Sequence, residues 1–235
     1  MNAQNVVKAL TALGSAEKAA HLSRFFKTGP GQYGEGDQFI GVRVPEQRLI
    51  ARKFSKLAPV EVAQLVTSPL HECRLTGLLI LVNQFSKSKD ENDRKEIVDF
   101  YLSHLDGVNN WDLVDLSAPK ILGQHLLDRP TERDIIYRMA KSQTIWERRI
   151  AVLSTFPFIR AGDFKDILQL SKQLLDDKHD LMHKVVGWML REMGKIKIEP
   201  LEKFLEKNAG RMPRTMLRYS IERFDPEKRS YFMSR

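Results

Sequence analysis

Two residues in the run Asn109-Asn110-Trp111-Asp112-Leu113-Val114-Asp115 have the types and spacing for chemistry on a cation. Trp111 and Asp115 are four apart, so on a helix they share a face. An indole face attracts a positive charge, and a carboxylate stabilises one. The plain alternative is a core tryptophan beside an exposed aspartate. A third residue stands out by phase. On a helix over 144–159, at about 100° per residue, Ile145, Trp146, Ile150, Val152, Leu153 and Phe156 fall in one apolar arc. Arg149 falls inside that arc and Arg148 at its edge. A guanidinium on a packed face is costly unless it is paired, so Arg149 should meet a carboxylate or an anion. The plain alternative is a side chain that snorkels out. Over 180–193, Trp188 sits at the edge of the apolar arc beside Lys184 and Arg191. It fits either packing along a nucleic acid backbone or capping the rim of the core.

Other candidates are weaker. The six histidines include one pair four apart, His179 and His183, with no glutamate between them and no third ligand near. No metal site is expected, and no cofactor. Ser117 and Ser154 lack the strand–turn–helix setting of a nucleophile. Cys73, the single cysteine, lies in a helical pattern and reads as buried. The glycine-rich stretch Lys27–Asp37 lacks the Gly-Lys-Ser/Thr ending of a phosphate-cradling loop. It reads as a connection in which Glu35 and Asp37 bond nearby amides or basic side chains.

The elements that must position these residues are helices. Apolar residues recur at three- and four-residue spacing over 5–13, 45–57, 70–85, 94–105, 131–140, 144–159, 164–175, 180–193, 199–207 and 213–224. Ser15 caps a further run, and Pro45, Pro59 and Pro69 stand where a first helical turn would begin. Phe39–Val44 is at most a brief extended segment. Corresponding runs begin near Arg74, Trp111, Arg149, Lys184 and Arg218, at steps of 37, 38, 35 and 34 residues. That period predicts an all-α, HEAT-like solenoid of stacked helix pairs, curved, with a concave binding face, and one domain over 1–235.

Charge gives that face a partner. Residues 1–140 carry 18 basic and 17 acidic side chains, whereas 141–235 carry 20 and 13. Seven surplus cations in the second part suit a polyanion such as DNA or RNA, or form a merely solvated face. One cysteine excludes a disulfide framework. No apolar run approaches the roughly 20 residues of a membrane span, so no membrane partner is expected. No signal peptide is read, and a monomer in the cytoplasm is expected.

Trp111-Asp-Leu-Val-Asp115, Ile145-Trp-Glu-Arg-Arg149 and Lys184-Val-Val-Gly-Trp188-Met-Leu-Arg-Glu192 resemble, in order and spacing, the AlkD-type DNA alkylation-repair glycosylases. Gly34-Glu-Gly-Asp37…Gly41-Val-Arg-Val-Pro45 is similar to a stretch common in that wider family. The resemblance covers nearly the whole chain. It implies HEAT-like repeats holding duplex DNA on a concave basic face, and hydrolysis of the N-glycosidic bond of cationic N-alkylpurines such as 3-methyladenine and 7-methylguanine. It implies catalytic roles for Asp115, Trp111 and Arg149, with Trp188 against the DNA, and no extrusion of the damaged base. Lys184, Arg191, Arg214, Arg218 and Arg148 would contact DNA, and Phe25 best matches an aromatic that some members present to it. Where some members have two adjacent tryptophans, this chain has Asn110-Trp111, and its loop over 28–37 is longer.

Glycoside hydrolysis ordinarily uses two carboxylates. A cationic purine leaves without a proton, so one carboxylate suffices, and Asp115 is expected to stabilise the oxocarbenium-like sugar and position water. Two other readings compete: a non-catalytic HEAT-like nucleic-acid-binding module, and a solenoid that binds an acidic protein.

Overall fold

A computed structural model describes residues 1–235. The chain is all-helical and forms two compact units, Met1–Ile121 and Leu122–Arg235. The first holds α1 (Ala3–Thr11), α2 (Ala16–Phe25), α3 (Val44–Lys53), α4 (Pro59–Val66), α5 (His71–Lys87), α6 (Glu91–Ser103) and α7 (Trp111–Ser117). The second holds α8 (Leu122–Leu127), α9 (Asp134–Met139), α10 (Ile145–Leu153), α11 (Phe156–Arg160), α12 (Lys165–Gln173), α13 (Asp180–Ile196), α14 (Ile198–Asn208), α15 (Arg214–Ser220) and α16 (Pro226–Met233). No helix is long and apolar enough to cross a membrane.

The first unit is built around α5. Every residue from His71 to Leu81 is buried, so the helix has no solvent face in its first three turns. Each buried leucine or isoleucine there contributes roughly 1.5–3 kcal/mol of burial. Helices α3, α4 and α7 pack on it. The polar start of α5 holds the connection before α3. Glu72 accepts hydrogen bonds from the backbone N–H groups of Ile40 (2.9 Å), Gly41 (2.8 Å) and Val42 (3.2 Å). Gly41 has φ +89°, and a Cβ there would lie 2.1 Å from the Ser15 carbonyl oxygen. Only glycine lets the chain pass so close to the start of α2.

In the second unit α13 carries the core. Met182, Val185, Val186, Met189, Leu190 and Met193 are buried on it. A Cβ on Gly187 would come within 2.5 Å of the Met216 carbonyl oxygen, which shows how closely α15 approaches.

The structure differs from the sequence pattern in four places. The run over 144–159 divides into α10 and α11, because Pro157 has no N–H to continue the ladder. Pro69 stands outside α5. Leu70 is extended there, and the His71 N–H donates to the Gln38 carbonyl (2.8 Å). The last predicted helix ends at Ser220, and α16 follows it unread, with Phe232 as its one buried side chain. Helix α8 also went unread, since six residues are too few to display a period. Cys73 is buried, as its pattern indicated, and burial pushes its thiol up to about 11.

Candidate functional site

The first unit holds a cavity of about 390 Å³ beside α7. Asn110 caps that helix, and its side-chain oxygen accepts the Trp111 N–H (2.8 Å). One turn further on, Asp115 shares a face with Trp111, and both line the cavity, half-buried. Neither of the two readings of this pair describes it fully: the indole is a wall rather than core, and the carboxylate is not on open surface.

The wall is a stack of rings. Trp111 lies on Phe26 with centroids 5.1 Å apart and planes 17° from parallel. Phe26 lies on Phe39 at 5.2 Å and 21°, and Phe39 lies on the His71 imidazole at 4.7 Å and 23°. Phe25 meets Trp111 edge-on at 5.9 Å and remains 56% exposed, so the last turn of α2 presents an aromatic beside the cavity mouth.

Behind the rings lies a buried ion network that sequence reasoning missed. The His71 Nδ1 stands 2.9 Å from an Asp37 oxygen, and its Nε2 2.9 Å from an Asp112 oxygen. Asp37 also accepts from the Arg74 guanidinium and from Asn110 Nδ2 (3.0 Å). Asp112 accepts the Leu113 N–H (2.9 Å). Burial works against a charged imidazole, but the hydrogen bonds and charges of Asp112 and Asp37 outweigh it and raise His71 to about 9. Both ring nitrogens therefore donate at neutral pH. Burial likewise works against the Asp37 carboxylate, and His71, Arg74 and Asn110 together hold it below its ordinary range. The network ties the glycine-rich connection, α5 and the start of α7 into one block, which fixes where Trp111 and Asp115 stand. The available signal was a polar His71-Glu72-Cys73-Arg74 step opening an otherwise apolar run. Asp37 and Glu35 behave as the loop reading expected, since Glu35 accepts the Gly31 N–H (2.8 Å).

In the second unit Arg149 is 5% exposed on α10, as its helical phase indicated. Its guanidinium donates to the Leu181 carbonyl (2.9 Å), among its contacts, which links α10 to the start of α13. Arg148 donates to Asp177 (2.7 Å) and to the carbonyls of Ser142 and Gln143 (each 2.9 Å), so it braces the helix that carries Arg149. Trp188 is half-buried, with its Nε1–H on Glu192 (3.1 Å) and its ring 6.4 Å from Phe156. Lys184 reaches Asp180 (2.6 Å), and Arg191 pairs with Glu222. Arg214 and Arg218 are exposed one turn apart on α15, with Arg214 also donating to the Met233 carbonyl (2.7 Å). His179 and His183 serve the turn before α13: the His179 ring accepts the Leu181 N–H, and His183 Nε2 bonds the Asp177 carbonyl.

A family model described as "DNA alkylation repair enzyme" matches residues 6–224. No curated protein matches the sequence. Among solved structures, one described as "Predicted DNA alkylation repair enzyme from Enterococcus faecalis" is similar in fold, with a TM-score of 0.71 at 15% identity. The match covers 91% of this chain and 97% of that one.

Proposed function

The chain belongs to the DNA alkylation repair enzyme family, and from that premise we propose that it is a glycosylase that releases cationic N3- and N7-alkylated purines from duplex DNA. The observation that carries this reading is one carboxylate, Asp115, set beside an aromatic wall and a buried network that holds its helix. An alkylated purine is already positive, so the C1′–N bond breaks with its electron pair passing to the base and neutralising it. The sugar becomes oxocarbenium-like. Asp115 stabilises that charge and aligns a water, whose oxygen bonds C1′ while its proton passes to the carboxylate and then to solvent. Trp111 packs against the deoxyribose. Arg149 holds a phosphate, with Arg148 bracing its helix, and Trp188 packs along the backbone. Lys184, Arg191, Arg214 and Arg218 add sequence-independent phosphate contacts, and Phe25 touches the duplex.

The whole surplus charge supports a DNA partner. Residues 122–235 carry 23 basic and 16 acidic side chains, against 15 and 14 in 1–121. The test is incubation with N-methylated duplex DNA and identification of the released bases by mass. Release of 3-methyladenine or 7-methylguanine is expected, with no release of uracil or hypoxanthine, which would leave as anions without a protonating acid. Binding without any base release would leave the non-catalytic module as the better reading.

A further inference from the structure

A groove in the second unit shares no lining residue with the DNA contacts assigned above. It runs between α12 and α14 and has a volume of about 500 Å³. Both helices pack on α13. Along α14, Pro200, Lys203, Phe204 and Lys207 recur at three- and four-residue spacing, so they form one stripe. Leu168 and Lys172, four apart, form the facing edge on α12. The floor is apolar: Phe204 is buried, and Leu168 and Pro200 are half-buried. Asn208 closes one end, and its amide N–H is spent on the Phe204 carbonyl (2.7 Å) within its own helix.

The rim is basic. Lys172, Lys197, Lys203 and Lys207 are all exposed, against one carboxylate, Glu199. None of these four ammonium groups makes an ion pair or hydrogen bond within the chain, whereas Lys184, Lys195 and Lys228 in the same unit are each paired. Two large apolar side chains flank Lys197: Ile196 is 55% exposed and Ile198 37%. Apolar surface left open and rimmed by charge is the pattern of a face that a partner covers.

The lining selects the occupant. A duplex backbone or a flat lipid surface would meet the lysines and leave Leu168 and Phe204 uncovered at the bottom of the groove. No arginine lines it, so it offers phosphate no guanidinium fork. An acidic amphipathic helix satisfies both parts, because its apolar side chains enter the groove while its carboxylates meet the rim. Helix α14 has 11 residues and is about 16 Å long, so about three turns of a partner helix span it. We propose that the groove between α12 and α14 is a docking site for an acidic amphipathic helix of a partner protein. The site is separate from the residues assigned to DNA, and it does not depend on the glycosylase reading.

The probe is a fluorescein-labelled peptide of about twelve residues, with leucine and phenylalanine at helical spacing and glutamate elsewhere. Its anisotropy is followed as the full chain is added. Saturable binding at one site per chain is expected, weakening as salt rises. A peptide with serine in place of each apolar residue should bind at least tenfold more weakly. Lys172→Glu combined with Lys203→Glu, both at exposed positions, should cost at least tenfold in peptide affinity and leave Tm, duplex affinity and base release as in the wild type. Leu168→Asp, at a half-buried position, should cost as much without touching the rim. No saturable binding by the folded wild type, equal binding of the serine peptide, or full peptide affinity in the charge-reversed variant overturns the proposal. A loss of duplex affinity in that variant as large as its loss of peptide affinity would assign the groove to DNA. A wild-type dimer in sedimentation that the variant lacks would assign it to a second copy of this chain. Either result also overturns the proposal.

Discussion

Each of the two units buries an ion network, and the two networks do different things. In the first, the His71 imidazolium is held between Asp37 and Asp112 behind an aromatic cavity. In the second, Arg133 is held by Asp166 (2.7 Å) and Asp163 (2.6 Å), donates to the carbonyls of Leu126 and Leu127, and lies 3.9 Å from the centre of the Phe158 ring. Tyr137 closes that network on Asp166 (2.5 Å), and desolvation with the neighbouring carboxylate pushes its phenol up. The Arg133 guanidinium joins the end of α8 to Asp163 and Asp166 at α12, and it is packed on an aromatic ring. Buried charge alone therefore does not mark a site. What marks a candidate here is the adjacent cavity, lined by Trp111 and Asp115.

Substitutions should separate the two networks. The largest effect on folding is expected from alanine at either carboxylate, Asp112 or Asp166. Each change strips a partner from a buried cation, and breaking such a pair costs about 3–5 kcal/mol. Chemical denaturation should show similar losses for both. The asparagine variants should then diverge. Asp112→Asn should lower base release at least tenfold in protein that remains folded. Asp166→Asn should lower it only in proportion to the folded fraction. Equal specific activities for the two folded variants would erase the distinction between a positioning network and a structural one.

Alkaline pH makes the same distinction without mutation. His71 ionises near 9 in the folded chain and near its ordinary 6.5 when unfolded. The stabilisation is therefore complete below about pH 6.5 and is lost as pH rises through about 9. Hydrogen-exchange protection of α5 and α7 should fall over that window, corrected for the intrinsic rate, along with base release. Protection of α12 should not, because Arg133 keeps its charge throughout. A loss of protection in α12 matching that in α7 would show that His71 is not the group responsible.

Smaller effects are expected at the surface. Arg214→Ala and Arg218→Ala should each weaken binding to any duplex sequence and reduce the salt slope by about 1. Phe25→Ala should change stability by no more than about 0.5 kcal/mol, since its ring is mostly exposed. It should reduce base release severalfold by removing the edge-on support of Trp111.

The sequence made the long helices legible, because α5 and α13 are long enough to display a period against a one-sided or all-round core. It also made Arg149 legible, since a cation inside an apolar arc has few places to go. Short helices such as α8 and α11 escaped it, as did α16, whose contact with the core is one phenylalanine. The site was half legible. Trp111 and Asp115 are neighbours along one helix, so spacing alone joins them. His71, Asp37 and Asp112 come from three distant segments, and only folding brings them within hydrogen-bond distance. Gln47, whose side-chain oxygen is buried beside the cavity without a hydrogen-bond partner, gave no signal at all, because an unpaired amide oxygen is a property of its surroundings.

The central claim is that one carboxylate, Asp115, drives release of a base that is already positive. It is tested most directly by single-turnover release of 7-methylguanine from a methylated duplex, comparing wild type with Asp115→Asn at saturating enzyme. The account predicts at least a hundredfold slower release by the variant, with duplex affinity and Tm close to wild type. Release at the wild-type rate by a folded, DNA-bound Asp115→Asn protein would contradict it.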